Sequence, residues 1–175
     1  MTGKRTGSGW RPMRPGDIGP VTAISDAVHG AAYTEAPAVY AERLALHPAG
    51  CHVFEHDGAV AGYLIAHPWH RDRPPPLDRP LGAIPSDADG YYLHDLALLP
   101  STRGAGAGKA GLALTIRQAV AAGFGDITLV AVNGADGFWA AQGFARVGGE
   151  GPSPYGPGTL LMRREALAQG PPPPE

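Results

Sequence analysis

Residues 91–109 read Tyr-Tyr-Leu-His-Asp-Leu-Ala-Leu-Leu-Pro-Ser-Thr-Arg-Gly-Ala-Gly-Ala-Gly-Lys, an apolar run that passes through a glycine-rich turn into an alanine-rich segment. A strand, a loop and a helix in that order make a compact unit with one chemical consequence. Glycines at alternate positions let several backbone N–H groups point the same way, and the helix that follows adds the positive end of its dipole. The product is an anion site suited to a pyrophosphate.

Three glycine-loop patterns compete for these residues. A Walker loop, G-x-x-x-x-G-K-[ST], needs a longer spacer than Gly104 to Gly108 provides, and a Ser or Thr where this chain has Ala110. The dinucleotide fingerprint G-x-G-x-x-G is matched literally by Gly106-Ala107-Gly108-Lys109-Ala110-Gly111. That fingerprint opens almost directly from its strand, whereas Pro100-Ser101-Thr102-Arg103-Gly104-Ala105 intervenes here, and Asn133 stands where an acidic residue is expected. The third pattern, R-x-x-G-x-G after a strand ending in Pro, is filled by Arg103, Gly106 and Gly108.

On that pattern, residues 91–117 resemble the acetyl-coenzyme A motif of the GCN5-related N-acetyltransferase (GNAT) superfamily. Farther on, Ile127-Thr128-Leu129-Val130-Ala131-Val132-Asn133 reads as the next strand, and Phe138-Trp139-Ala140-Ala141-Gln142-Gly143-Phe144 resembles the family's second signature. The resemblance implies an α/β (α+β) fold, a mixed central sheet of about six to seven strands flanked by about four helices. It implies acetyl-CoA as acyl donor, held along the pantetheine by the backbone of Leu96, Ala97 and Leu98. Arg103, Gly104, Ala105, Gly106, Ala107, Gly108 and Lys109 would surround the pyrophosphate, with Asn133 after the next strand and Trp139 packed beside the pantetheine arm.

Composition agrees with one domain. The chain has 175 residues, 43% of them apolar, and a formal charge of −2. No basic surface calls for nucleic acid, and no run of about 18 apolar residues calls for a membrane. The start lacks a signal-peptide core, and the single Cys51 has no partner for an internal disulfide. These features predict a cytoplasmic monomer or homodimer with a folded domain over residues 10–168, and disordered tails over 1–9 and the Pro-rich 169–175. Cys51 reads as a small packed hydrophobe.

Coarse periodicity predicts a strand from Trp10 to Met13, helices to His29 and from Pro37 to Leu46, and a hairpin of residues 51–55 and 60–66 turning at His56-Asp57-Gly58. A helix over 108–122 shows Leu112, Ile116 and Val120 as an apolar stripe. Residues 144–147 and 159–163 close the sheet. The Pro-rich stretch 67–90 is too long for a plain connection and reads as a surface insertion or a wall over the acceptor site, with Trp69 as a pocket residue.

In acyl transfer a free amine attacks a thioester, so a group titrating near neutrality must take a proton. His94 is the candidate base, on a strand that resembles the Leu-His-Ala-Leu-Ala-Val strand of aralkylamine N-acetyltransferases. Strand alternation puts His94 on one face with Tyr92, Leu96 and Leu98, and Asp95 on the other as a buried anchor, so the two are not expected to share a face. Many family members carry a Tyr acid where this chain has Trp139, whose indole N–H does not protonate a thiolate. Tyr155 or a water is left to serve. Tyr33 and Glu35 fall in a connection bordering the acceptor cleft, where Glu35 would hold a cationic amine. His52 and His56 would stand about 13 Å apart on an extended segment, and His67 and His70 lack a third ligand, so no metal site is expected.

The reading is an acyl-CoA N-acyltransferase moving acetyl from acetyl-CoA to a primary amine of a small molecule. A non-catalytic acyl-CoA sensor and a dinucleotide-binding domain are the alternatives.

Overall fold

A computed structural model describes residues 7–148 and 155–167. The C-terminal tail expected over 169–175 lies outside the described residues, as do residues 1–6 of the N-terminal one. Gly9 already belongs to the first strand, and the Ser8 hydroxyl meets His56 Nδ1 at 2.6 Å.

The described residues form strands β1 (Gly9–Pro12), β2 (Cys51–His56), β3 (Ala59–Trp69), β4 (Gly90–Leu98), β5 (Asp126–Ala131), β6 (Ala145–Arg146) and β7 (Leu160–Glu165). Helices are α1 (Ile18–His29), α2 (Pro37–Leu46), α3 (Ala107–Ala121) and α4 (Asp136–Ala141). One seven-stranded sheet runs β1-β2-β3-β4-β5-β7-β6, antiparallel except for the parallel pair of β4 with β5. This is the mixed sheet with four helices that the family resemblance implies.

Local chemistry sets the element ends. Gly30 closes α1 at φ 70°, and Pro37 starts α2 with the φ a first helical turn needs. Asp57 and Gly58 both take positive φ, the twist that matches a two-residue hairpin between β2 and β3.

Two cores lie on opposite faces of the sheet. Val21, Ile24, Tyr40, Cys51, Val53, Tyr63, Ile65 and Ala97 pack on the α1 and α2 side. Leu64, Ala66, Tyr91, Leu93, Leu112, Ala119, Ile127 and Leu129 pack on the α3 side. On the α1 and α2 side Cys51 is fully buried as a hydrophobe, its thiol pushed up to about 12 by burial.

The helix stripe differs from expectation. Val120 is 39% exposed, and α3 buries Ala107, Gly111, Leu112, Thr115 and Ala119 instead. Small residues win because the Trp10 indole lies across the helix. A Cβ on Gly111 would stand 2.8 Å from Trp10 and 2.9 Å from Leu96, and Trp10 Nε1 donates to the Ala107 carbonyl at 2.9 Å.

Candidate functional site

The site begins where β4 and β5 part. Their register holds only at Tyr91 with Ile127 and Tyr92 with Thr128. Beyond it the strands diverge, because nothing ties a parallel pair together once the ladder stops. Residues 93–98 on one side and Leu129, Val130, Val132 and Asn133 on the other wall a cavity of about 810 Å³. β5 ends at Ala131, two residues early, and Asn133 sits in a turn at φ 53°.

At one end stands the glycine loop. A short 3-10 turn, Pro100–Thr102, separates it from β4. Gly104 and Gly106 take φ 83° and 84° with open space where a Cβ would stand, and Gly106 caps α3 without any side-chain hydrogen bond. The first N–H groups of a fifteen-residue helix are therefore free to meet an anion. Arg103 is steadied by Nε donating to the Leu98 carbonyl at 3.1 Å, and Lys109 has no partner among the described residues. This cradle fits a pyrophosphate. Arg103, Gly104, Gly106, Gly108 and Lys109 line the cavity; Ala105 and Ala107 do not. Ala105 faces out, and Ala107 is buried against Phe54 and Leu98.

At the other end lie two histidine–carboxylate pairs. A β-bulge sets Ile65 opposite Asp95 and Ala66 opposite Leu93, leaving His94 with no partner on β3 and, since β5 has diverged, none on the other side. The extra residue shifts the alternation. Tyr92 and His94 before it, and Asp95 and Ala97 after it, all face α1 and α2, while Leu93 and Leu96 face α3. The expectation that His94 and Asp95 oppose each other is therefore corrected: strict period two fails at a bulge.

His94 Nε2 lies 2.5 Å from Glu35 Oε1, and the two side chains are 1% and 2% exposed. Burial works against charge on Glu35, but His94, the Asp78 N–H at 2.8 Å and Arg43 outweigh it, holding the carboxyl below its ordinary range. Ionised, Glu35 only accepts, so the ring proton sits on Nε2, and among the described residues Nδ1 of His94 has no partner. Both Glu35 oxygens are engaged. Glu35 lines the cavity, but Oε1 already meets His94 and Oε2 accepts from the Asp78 N–H, so its first partners belong to the protein.

The second pair was not foreseen as a site. His29 Nε2 lies 2.8 and 3.0 Å from the two Asp95 oxygens, and the Tyr63 hydroxyl donates to the same carboxylate. Burial raises Asp95, yet His29 and Tyr63 prevail and hold it below the usual range. Burial likewise opposes charge on His29, but Asp95 raises its proton affinity overall. The only sequence signal was a histidine in the last turn of a helix, where the dipole favours a cation.

Tyr33, Glu35, Leu96, Ala97, Leu98, Asn133 and Trp139 line the cavity, together with Val28, His29, Leu77, Asp95 and Tyr155. Trp69 does not. β3 extends through it, and its indole donates to the Arg73 carbonyl at 2.9 Å. Residues 70–89 wall the site through Leu77 instead, because Asp78 is pinned to Glu35 and to the Ala36 N–H. His67 lies within β3 rather than in a loop, buried, with burial pushing it down to about 3. Trp139 is buried against Phe138 and Phe144. Tyr155 meets Tyr92 at 2.8 Å and donates to the Pro75 carbonyl at 2.9 Å; burial pushes its hydroxyl up, so the phenol stays protonated.

A sheet split between parallel strands, with a glycine loop at the mouth of the split, defines a GNAT-type fold. The profile of the Acetyltransferase (GNAT) family matches residues 22–144, more than half of the chain, and the protein belongs to that family. Solved structures agree on the fold. The loading GNATL domain of CurA from Lyngbya majuscula superposes with a TM-score of 0.76 at 13% identity, over 91% of this chain and 98% of that one. The GphF GNAT-like decarboxylase in complex with isobutyryl-CoA gives 0.75 at 18% identity, over 91% and 100%. N-acetylglutamate synthase from Neisseria gonorrhoeae, complexed with coenzyme A and N-acetyl-glutamate, gives 0.65 at 19% identity, over 94% of this chain and 36% of that one. No curated protein sequence matches the chain. Among the described residues no helix is long and apolar enough to cross a membrane.

Proposed function

We propose that this protein is an N-acetyltransferase that moves an acetyl group from acetyl-CoA to a primary amine of a small molecule by direct attack. One observation carries the reading: a single cavity joins an anion cradle at residues 103–109 to an oriented, buried histidine at His94. Related folds crystallised with isobutyryl-CoA and with coenzyme A support the acyl-CoA part.

Bound acetyl-CoA would supply an activated acyl carbon with a thiolate leaving group. The residues do the rest. The N–H groups at the start of α3, with Arg103 and Lys109, would hold the pyrophosphate. The edge of residues 96–98 that β5 leaves free would pair with the pantetheine amides, with Asn133 and Trp139 on the opposite wall. A main-chain N–H at the bulge, where His94 has no strand partner, would be available to the carbonyl oxygen. Glu35 positions the His94 ring, and Nδ1 of His94, buried without a partner among the described residues, takes the proton that the amine loses once substrate or a water reaches it. The insertion narrows the acceptor side through Leu77, which favours a small acceptor over an extended peptide.

Thermal shift with acetyl-CoA, coenzyme A and NADH, followed by thiol release against a panel of small amines, tests the proposal. Stabilisation by both coenzyme A species and turnover on at least one amine is expected. Binding without turnover would favour an acyl-CoA sensor, a reading to which Trp139 in place of the usual tyrosine lends support. Stabilisation by NADH alone would overturn both.

A further inference from the structure

The scheme above uses one of the two histidine–carboxylate pairs and names no donor for the departing thiolate. The second pair stands at the same end of the same cavity. His29 ends α1 and is held by both oxygens of Asp95, the residue next to His94 on β4. Its side chain keeps 13% exposure against 1% for His94, and among the described residues its Nδ1 has no hydrogen-bond partner. If pantetheine runs from the loop at 103–109 along residues 98, 97 and 96, its sulfur falls beyond Leu96, level with Asp95. We propose that His29, in its protonated form, is the proton donor to the leaving sulfur, taking the part that Trp139 cannot perform.

The inference rests on the acyl-transfer reading. In the step, the amine nitrogen forms the C–N bond and the C–S bond breaks with its electron pair on sulfur. The proton on His29 Nδ1 becomes the thiol S–H, the proton released by nitrogen goes to His94, and both histidines re-equilibrate with solvent. Asp95 from β4 favours the charged ring, as do Glu35 across the cavity and the C-terminal end of α1; Arg103 opposes it. Tyr63 from β3 reaches His29 only through Asp95, Tyr33 and His94 face the same cavity, and Asp26 on α1 is engaged by Thr34.

Three measurements test this on the full chain. In ligand-free protein, an NMR titration should show the His29 ring holding its proton above the ordinary histidine range, and Asp95→Asn should lower that point. His29→Gln should bind coenzyme A as the wild type does, lose turnover by about 10²-fold, and lose the alkaline limb of the pH–rate profile. With an S-acetyl aryl thiol, whose leaving group needs no proton, the deficit of His29→Gln relative to wild type should shrink toward unity. A ring neutral at the working pH, an alkaline limb that survives in H29Q, loss of the acidic limb instead, or an equal deficit with both thioesters would each overturn the assignment. A wild type that releases no thiol with any amine would overturn the acyl-transfer reading itself, and this inference with it.

Discussion

At the residue 103–109 end of the cavity the working groups belong to the main chain, whereas at the His94 end they are side chains drawn from separate elements. The loop needs only glycine φ values and a helix start, all within a few residues of one another. The His94 end needs Glu35 to meet His94 and His29 to meet Asp95 across 59 and 66 positions. A site made of backbone tolerates change in most side chains but not in glycine. A site made of paired side chains depends on every element that presents one.

The sharpest break of that contrast is Gly106→Val. Valine at φ 84° is strained, and its side chain would enter the open space above the loop. Coenzyme A affinity by calorimetry should fall at least about 10²-fold; retained affinity would misplace the anion cradle. Next is His94→Gln, expected to lower turnover about 10²-fold and remove the acidic limb of the pH–rate profile while leaving coenzyme A affinity intact. An unchanged profile would reject His94 as the base. Together the two variants separate binding from chemistry along one cavity.

Smaller effects concern stability. Gly111→Ala should cost about 1–3 kcal/mol in urea unfolding, since the added methyl meets both Trp10 and Leu96, and should relax if Trp10 is shortened as well. Acid should also unfold the protein through its buried histidines. His67 is held at about 3, and His47 and His52 are also pushed down by burial, so the unfolded chain binds protons that the folded one refuses. Stability therefore rises with pH up to the ordinary histidine range, and His67 alone costs about 1.4 kcal/mol for each pH unit below it. Glu35 and Asp95, both held low, add a loss as pH falls through the carboxylate range. His29 acts in the opposite sense, adding stability at low pH that is lost as pH rises through its raised value. His67→Phe should flatten the decline between pH 7 and 5; an unaltered slope would remove His67 from the account.

Much of the loop end was legible in the sequence. Arg103, Gly104, Gly106, Gly108 and Lys109 all lie along the cavity, and the Asp57 and Gly58 turn formed where its dipeptide said. Less was legible at the other end. His94 stood out on its strand, but its carboxylate did not, and Glu35 was expected to face a substrate rather than a histidine. Trp69 looked like a pocket wall, yet Leu77 took that place once Asp78 was fastened to Glu35. His29 carried no motif at all.

The sequence by itself determined the strand, glycine loop and helix, the hairpin turn and the helix starts, because each rests on backbone conformations that neighbouring residues impose. It also determined the family, through two signatures in the right order. Only the tertiary structure decided the bulge at His94, which turned two adjacent side chains to one face, and the carboxylate and histidine each of them meets. A bulge is a mismatch between two strands, and an ion pair is a meeting of two elements, so neither exists until the sheet and helices have packed.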